Sequence, residues 1–142
     1  VNLKPDDARF RMNLGNALHE TGDFTNAIAQ YERAVQLDPA FAEAYYNLGN
    51  SLSAVGRKDE AVQQYRQALK LNPRSAEAHL ILALVLLATD RKDEALWHCQ
   101  QAVAANATWF PAQAGLATAL KSLGIKPDIN VLQSAEIVKT EE

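Results

Sequence analysis

The stretch Tyr45–Pro73, YYNLGNSLSAVGRKDEAVQQYRQALKLNP, carries two helical patterns joined by a single glycine turn. Tyr45, Leu48 and Leu52 recur at three- and four-residue steps, the spacing that gathers side chains on one face of a helix. Ala61, Val62, Tyr65, Ala68 and Leu69 trace a second apolar stripe. Between them, Ala54-Val55-Gly56-Arg57 supplies a glycine able to adopt the left-handed conformation that closes a helix. Asp59 and Glu60 then fall in the first turn of the second helix, where negative charge meets the positive end of the helix dipole. Pro73 marks the end of the pair, because proline cannot continue the helix before it.

Shifting the chain against itself by about 34 residues reproduces this stretch elsewhere. Leu48 aligns with Leu14, Leu82 and Leu116, and Leu52 with Leu18, Leu86 and Leu120. The same offset pairs Gly15 with Gly49, Gly22 with Gly56 (and, two steps on, Gly124), Ala27 with Ala61 and Ala95, Ala34 with Ala68 and Ala102, and Pro5 with Pro39 and Pro73. A fixed period of this size predicts a stacked array in which each helix pair covers its neighbour's apolar face. First helices are expected over roughly 8–21, 42–55, 76–89 and 110–123, and second helices over 24–37, 58–71 and 92–105. The small residues have a packing purpose. Glycine at 15 and 49 and alanine at 27, 34, 61 and 68 let paired helices approach closely, with Tyr31 and Tyr65 filling the wider gap beside them.

Composition excludes several functions. The chain has 142 residues, 14 Lys+Arg against 17 Asp+Glu, a net charge of −3 and 48% hydrophobic residues. A fold of this length buries about 68–70% of its unfolded surface and needs neither metal nor disulfide to stay folded. Cys99 has no second cysteine to pair with, which leans toward a reducing compartment. Mild acidity, with no stretch of Lys and Arg free of interleaved acids, argues against nucleic acid. The longest apolar run, Leu80 to Ala88, is nine residues, about half of a membrane span, and no export signal opens the chain, so a cytoplasmic setting is expected.

Catalytic and metal-binding motifs are not found. His19-Glu20 begins like a zinc-protease helix, but Asp23 stands where the second histidine should be. His98 and Cys99 are adjacent on one helix, so their side chains diverge by about 100° and cannot share a metal unaided. They are expected to be a surface imidazole and a core thiol. No phosphate loop and no local nucleophile signature occurs, so neither an enzyme nor a cofactor is expected.

The recurring Tyr45, Leu48, Gly49, Leu52, Ala61, Tyr65, Ala68 and Pro73 resemble the signature of the tetratricopeptide repeat. The resemblance implies an all-α, right-handed solenoid of antiparallel helix pairs, about three and a half repeats within one domain. The repeats would be residues 8–41, 42–75 and 76–109, with 110–123 as the first helix of a fourth. The third departs from the pattern, with His79, Ala83, Cys99 and Ala107 in place of the usual aromatic, glycine, aromatic and proline. Residues 1–5 are expected to end a preceding repeat, making the chain a piece of a longer array, and 127–140 to form a C-terminal capping helix around Val131, Leu132, Ala135 and Val138.

In the family, the first helices line a concave groove that holds extended peptides. The faces opposite the repeating leucines would line it here: Arg9, Met12, Asn13, Asn16, His19 and Glu20 on the first helix, and Glu43, Tyr46, Asn47, Asn50 and Ser53 on the second. An asparagine amide is both donor and acceptor, so a ladder of them can hold a peptide backbone whatever its side chains. The ladder of O-GlcNAc transferase arrays would map onto Asn13 and Asn47. The cationic clamp of chaperone-tail receptors would map onto Met12, Asn16, Asn47, Glu77 and Ile81, where no cation is present, so acidic chaperone tails are not expected to bind. On the third first-type helix, Leu80, Ile81, Leu84 and Leu87 occupy groove positions, a patch expected to be covered by a protein partner or a second copy of the chain in preference to the tail around Val131, Leu132 and Val138 folding back. The function implied is a protein-protein interaction scaffold gripping a peptide. The alternatives are a self-associating structural module and the targeting array of a larger enzyme.

Overall fold

The computed structural model describes residues 6–126; the expected segments at 1–5 and 127–140 lie outside the described residues. Seven helices and no strand occur among the described residues: α1 (Ala8–Glu20), α2 (Phe24–Leu37), α3 (Ala42–Ala54), α4 (Lys58–Leu71), α5 (Ala76–Ala88), α6 (Lys92–Ala105) and α7 (Phe110–Ser122). Each lies within a residue or two of the span that the apolar periodicity predicts. The described residues form an all-α helical-repeat fold, and the chain divides into two compact units, Val1–Pro73 and Arg74–Glu142.

Local chemistry sets the helix ends. Asp7 caps α1 by accepting from the backbone N–H groups of Arg9 and Phe10, and Ser75 caps α5 by accepting from Ala78. Gly22, Gly56 and Gly124 have φ of +83°, +83° and +76° in the turns that follow α1, α3 and α7. The turn after α5 reaches the same region with Asp90, at φ +61°, a conformation that aspartate tolerates better than most residues.

In the first unit α2 packs against both α1 and α3, and α4 against α3. Ala27, Ile28, Tyr31 and Ala34 of α2 and Ala61, Val62, Tyr65, Ala68 and Leu69 of α4 are buried, as are Leu48 and Leu52 of α3. The tyrosines do not sit beside the small residues, as expected from sequence, but on them. A Cβ built on Gly15 would lie 2.6 Å from the Tyr31 ring, and one on Gly49 would lie 2.7 Å from the Tyr65 ring.

In the second unit α6 packs against α5 and α7, and α5 also meets α7. This contact corrects one expectation. Leu80, assigned to an exposed patch, is only 6% exposed, and its Cδ1 fills the space that a side chain at Gly115 of α7 would need. Of the four apolar residues expected to lie uncovered together, Ile81 and Leu87 are half-buried and Leu84 alone is exposed. His98 is also corrected, from surface to interior: it is buried, with its Nδ1 3.0 Å from Nδ1 of His79. Cys99 is fully buried, and burial pushes its thiol up to about 12.

Candidate functional site

Helices α1 and α3 border a polar cleft of about 240 Å³ in the first unit. Asn16, His19 and Glu20 line it from α1, Glu43, Asn47 and Asn50 from α3, and Tyr31 from α2. Two side-chain bonds set the register between the walls. Asn47 Nδ2 donates to Asn16 Oδ1 at 3.1 Å, and His19 Nδ1 lies 2.7 Å from the Ser51 hydroxyl. His19 is further held by an edge-on contact with Phe24.

The asparagines divide into two kinds. Tyr31 donates its hydroxyl hydrogen to Asn16 Oδ1 at 2.6 Å, and Tyr65 donates to Asn50 Oδ1 at 2.7 Å. Those carbonyls are therefore committed to holding a tyrosine, the structural role that sequence alone could not separate from ligand contact. Asn13 is exposed, and the acceptor oxygen of Asn47 and the donor nitrogen of Asn16, two residues that line the cleft, make no hydrogen bond among the described residues. One acceptor and one donor side by side match the needs of a peptide group. The hydrogen bond that binds the two residues also fixes their spacing.

Neither Glu20 nor Glu43 forms an ion pair among the described residues. Burial first, and then the nearby charges of Glu20 and Glu43, push the Tyr31 hydroxyl up to about 12. No lysine or arginine lines the cleft.

The remaining candidates lie elsewhere. Met12 is 4% exposed and belongs to the core, a correction shared with Leu80, which occupies the equivalent position one period pair later. At Leu80 this repeat position faces Gly115 of α7. Arg9 lines a separate depression with Asp7, Asp38 and Phe41. Tyr46 is half-buried with its ring 5.9 Å from that of Tyr65. Glu77, Ile81 and Leu84 sit on α5 in the second unit. Sequence reasoning missed the tyrosine–asparagine pairs, although a signal was present. Asn16 with Tyr31 and Asn50 with Tyr65 recur at a fixed 15-residue separation, and both partners are lost together as Leu84 and Cys99.

Models of the tetratricopeptide repeat match residues 15–56 and 46–108, and between them span most of the described chain. The chain belongs to the tetratricopeptide repeat family. No curated protein sequence matches it. Among solved structures the chain is similar to MamA, with 25% identity and a TM-score of 0.82 over 87% of this chain and 72% of that one. It shares its fold with the first such domain of Spaghetti (RPAP3), solved bound to the HSP90 peptide SRMEEVD, at 18% identity and a TM-score of 0.81 over 87% and 98%. The Sgt2 domain from Aspergillus fumigatus is similar at 20% identity and 0.78 over 85% and 81%. Tetratricopeptide repeats are protein-protein interaction modules, and this chain is one by membership. No described helix is long and apolar enough to cross a membrane.

Proposed function

We propose that this tetratricopeptide array is a scaffold that holds an extended peptide by its backbone in the α1–α3 cleft. The observation that carries the reading is the Asn16–Asn47 pair, two cleft-lining amides tied by one hydrogen bond, with the Asn16 donor and the Asn47 acceptor unpaired among the described residues. Asn13, on the same face of α1, extends the polar surface. A protein of the same fold solved with a bound peptide supports this use of the repeat. The acidic tail that it carries is not the ligand expected here. Met12, Glu77 and Ile81 stand at positions of the cationic clamp and supply no positive charge. Self-association through an apolar α5 has less to rest on, because α7 already covers Leu80.

The test is a display of random twelve-residue peptides panned on the purified chain, followed by titration of the selected peptides against Asn47→Ala and Asn13→Ala. Each lost backbone contact should weaken binding by about 0.5–1.5 kcal/mol while the helical circular dichroism is unchanged. Selected peptides whose affinity ignores both substitutions would overturn the proposal.

A further inference from the structure

Within the backbone-holding cleft, on whose reading this inference rests, the carboxylates have a definite placement. The Asn16–Asn47 and His19–Ser51 bonds set α1 and α3 in register. Glu20 lies one helical turn beyond Asn16 on α1, and Glu43 one turn before Asn47 on α3. Both line the cleft, so the two acids flank the amide pair on opposite sides along the helix axes. Neither is paired with a cation among the described residues, whereas Asp6 is held by Arg33 and Glu60 by Arg57. An extended peptide seated on the amide pair turns the edge of its backbone downward. Its successive side chains then point to opposite sides, toward Glu20 on one and Glu43 on the other.

We infer that the cleft selects an extended peptide bearing two adjacent basic residues, one side chain reaching Glu20 and the next reaching Glu43. The preference follows from charge complementarity and from the alternation of an extended chain. Two basic residues separated by one position would both fall on the same side, and only one could find a carboxylate. An acidic pair would meet like charge on both sides and be rejected.

The experiment compares three otherwise identical Gly/Ser/Asn peptides of twelve residues, with Arg-Arg, Arg-Ser-Arg or Gln-Gln at the centre, titrated at low salt against the whole chain. The adjacent pair should bind roughly three- to twentyfold tighter than the glutamine peptide, the range for two solvent-accessible ion pairs. The spaced pair should show only part of that gain. Glu20→Gln and Glu43→Gln should each remove a share, and together they should bring the arginine and glutamine peptides to equal affinity. Added salt should narrow the gap in the same way. If the arginine peptides show no advantage, if the spacing makes no difference, or if the double glutamine variant keeps the preference, the inference is overturned. The failures are distinguishable. Loss of charge preference with binding still sensitive to Asn47→Ala defeats this inference alone. Binding that ignores Asn47→Ala, or no binding by any of the three peptides, defeats the backbone reading with it.

Discussion

Tyr65 rests directly on Gly49: a Cβ at that glycine would lie 2.7 Å from the ring, closer than side chains approach. Tyr31 and Gly15 repeat the relationship at 2.6 Å. Both rings are fully buried and cannot swing aside without displacing their neighbours. Gly49→Ala should therefore destabilise the fold despite adding a better helix former. Overpacking costs about 1–3 kcal/mol, and the gain in helix propensity returns at most about 1 kcal/mol. Urea unfolding followed by circular dichroism would register the difference, and an unchanged or raised midpoint would contradict the packing argument.

The third repeat replaces all three members of this arrangement together, with Ala83 for the glycine, Leu84 for the asparagine and Cys99 for the tyrosine. A smaller side chain on α6 leaves room for the methyl on α5, and with no hydroxyl to bind, the amide has no purpose. Transplanting the set into the second repeat as Gly49→Ala, Asn50→Leu and Tyr65→Cys should cost less than the sum of the three single changes by about 1 kcal/mol or more. A combined free energy equal to that sum would show the three positions to be independent.

Truncation should separate the apolar residues of α5. Leu80 is sealed against Gly115, and Leu80→Ala should cost about 2–5 kcal/mol through lost burial and a residual cavity. Leu84, 43% exposed, should lose less than about 0.5 kcal/mol on the same change. Thermal melts of the two variants would check this ordering, and equal losses would place Leu84 in a core that the structure does not give it.

Buried acids of high pKa predict an alkaline limit. Burial raises Cys99 from an ordinary 9.0 to about 12, and burial with Glu20 and Glu43 raises Tyr31 from 10.0 to about 12. Unfolded chains ionise first, so the native state binds more protons above pH 9. Stability is accordingly full below the unfolded values and falls as pH climbs from about 9 toward 12. Denaturant midpoints measured from pH 7 to 11 should stay level and then decline, and Cys99→Ala should soften the decline. Iodoacetamide at pH 8 should label Cys99 only when the chain is unfolded. Rapid labelling of the native protein would refute its burial.

Much of this was legible in the one-dimensional record because helix pairing in a repeat is local. The positions of Leu48, Ala61, Tyr65 and Ala68 are set by residues within one turn or one neighbouring helix, and the periodicity that reports them survives without tertiary knowledge. The glycine turns were equally readable, because a residue without a Cβ, such as Gly56, takes positive φ at no steric cost, although Asp90 fills that place after α5. The third dimension decided which polar and apolar groups the fold had already consumed. Asn16 and Asn47 belong to the same kind of sequence motif, yet Asn16 gives its carbonyl to Tyr31 and Asn47 keeps its own for the cleft. Met12 and Leu80 share the spacing of groove residues but are buried, Leu80 against Gly115 of α7, and His98 is buried with its Nδ1 3.0 Å from that of His79. A helical wheel records the direction in which a side chain leaves its own helix, but what meets it there depends on the lateral register of the next helix. That register is set by contacts such as His19 with Ser51, 32 residues apart, which exist only once the helices have packed.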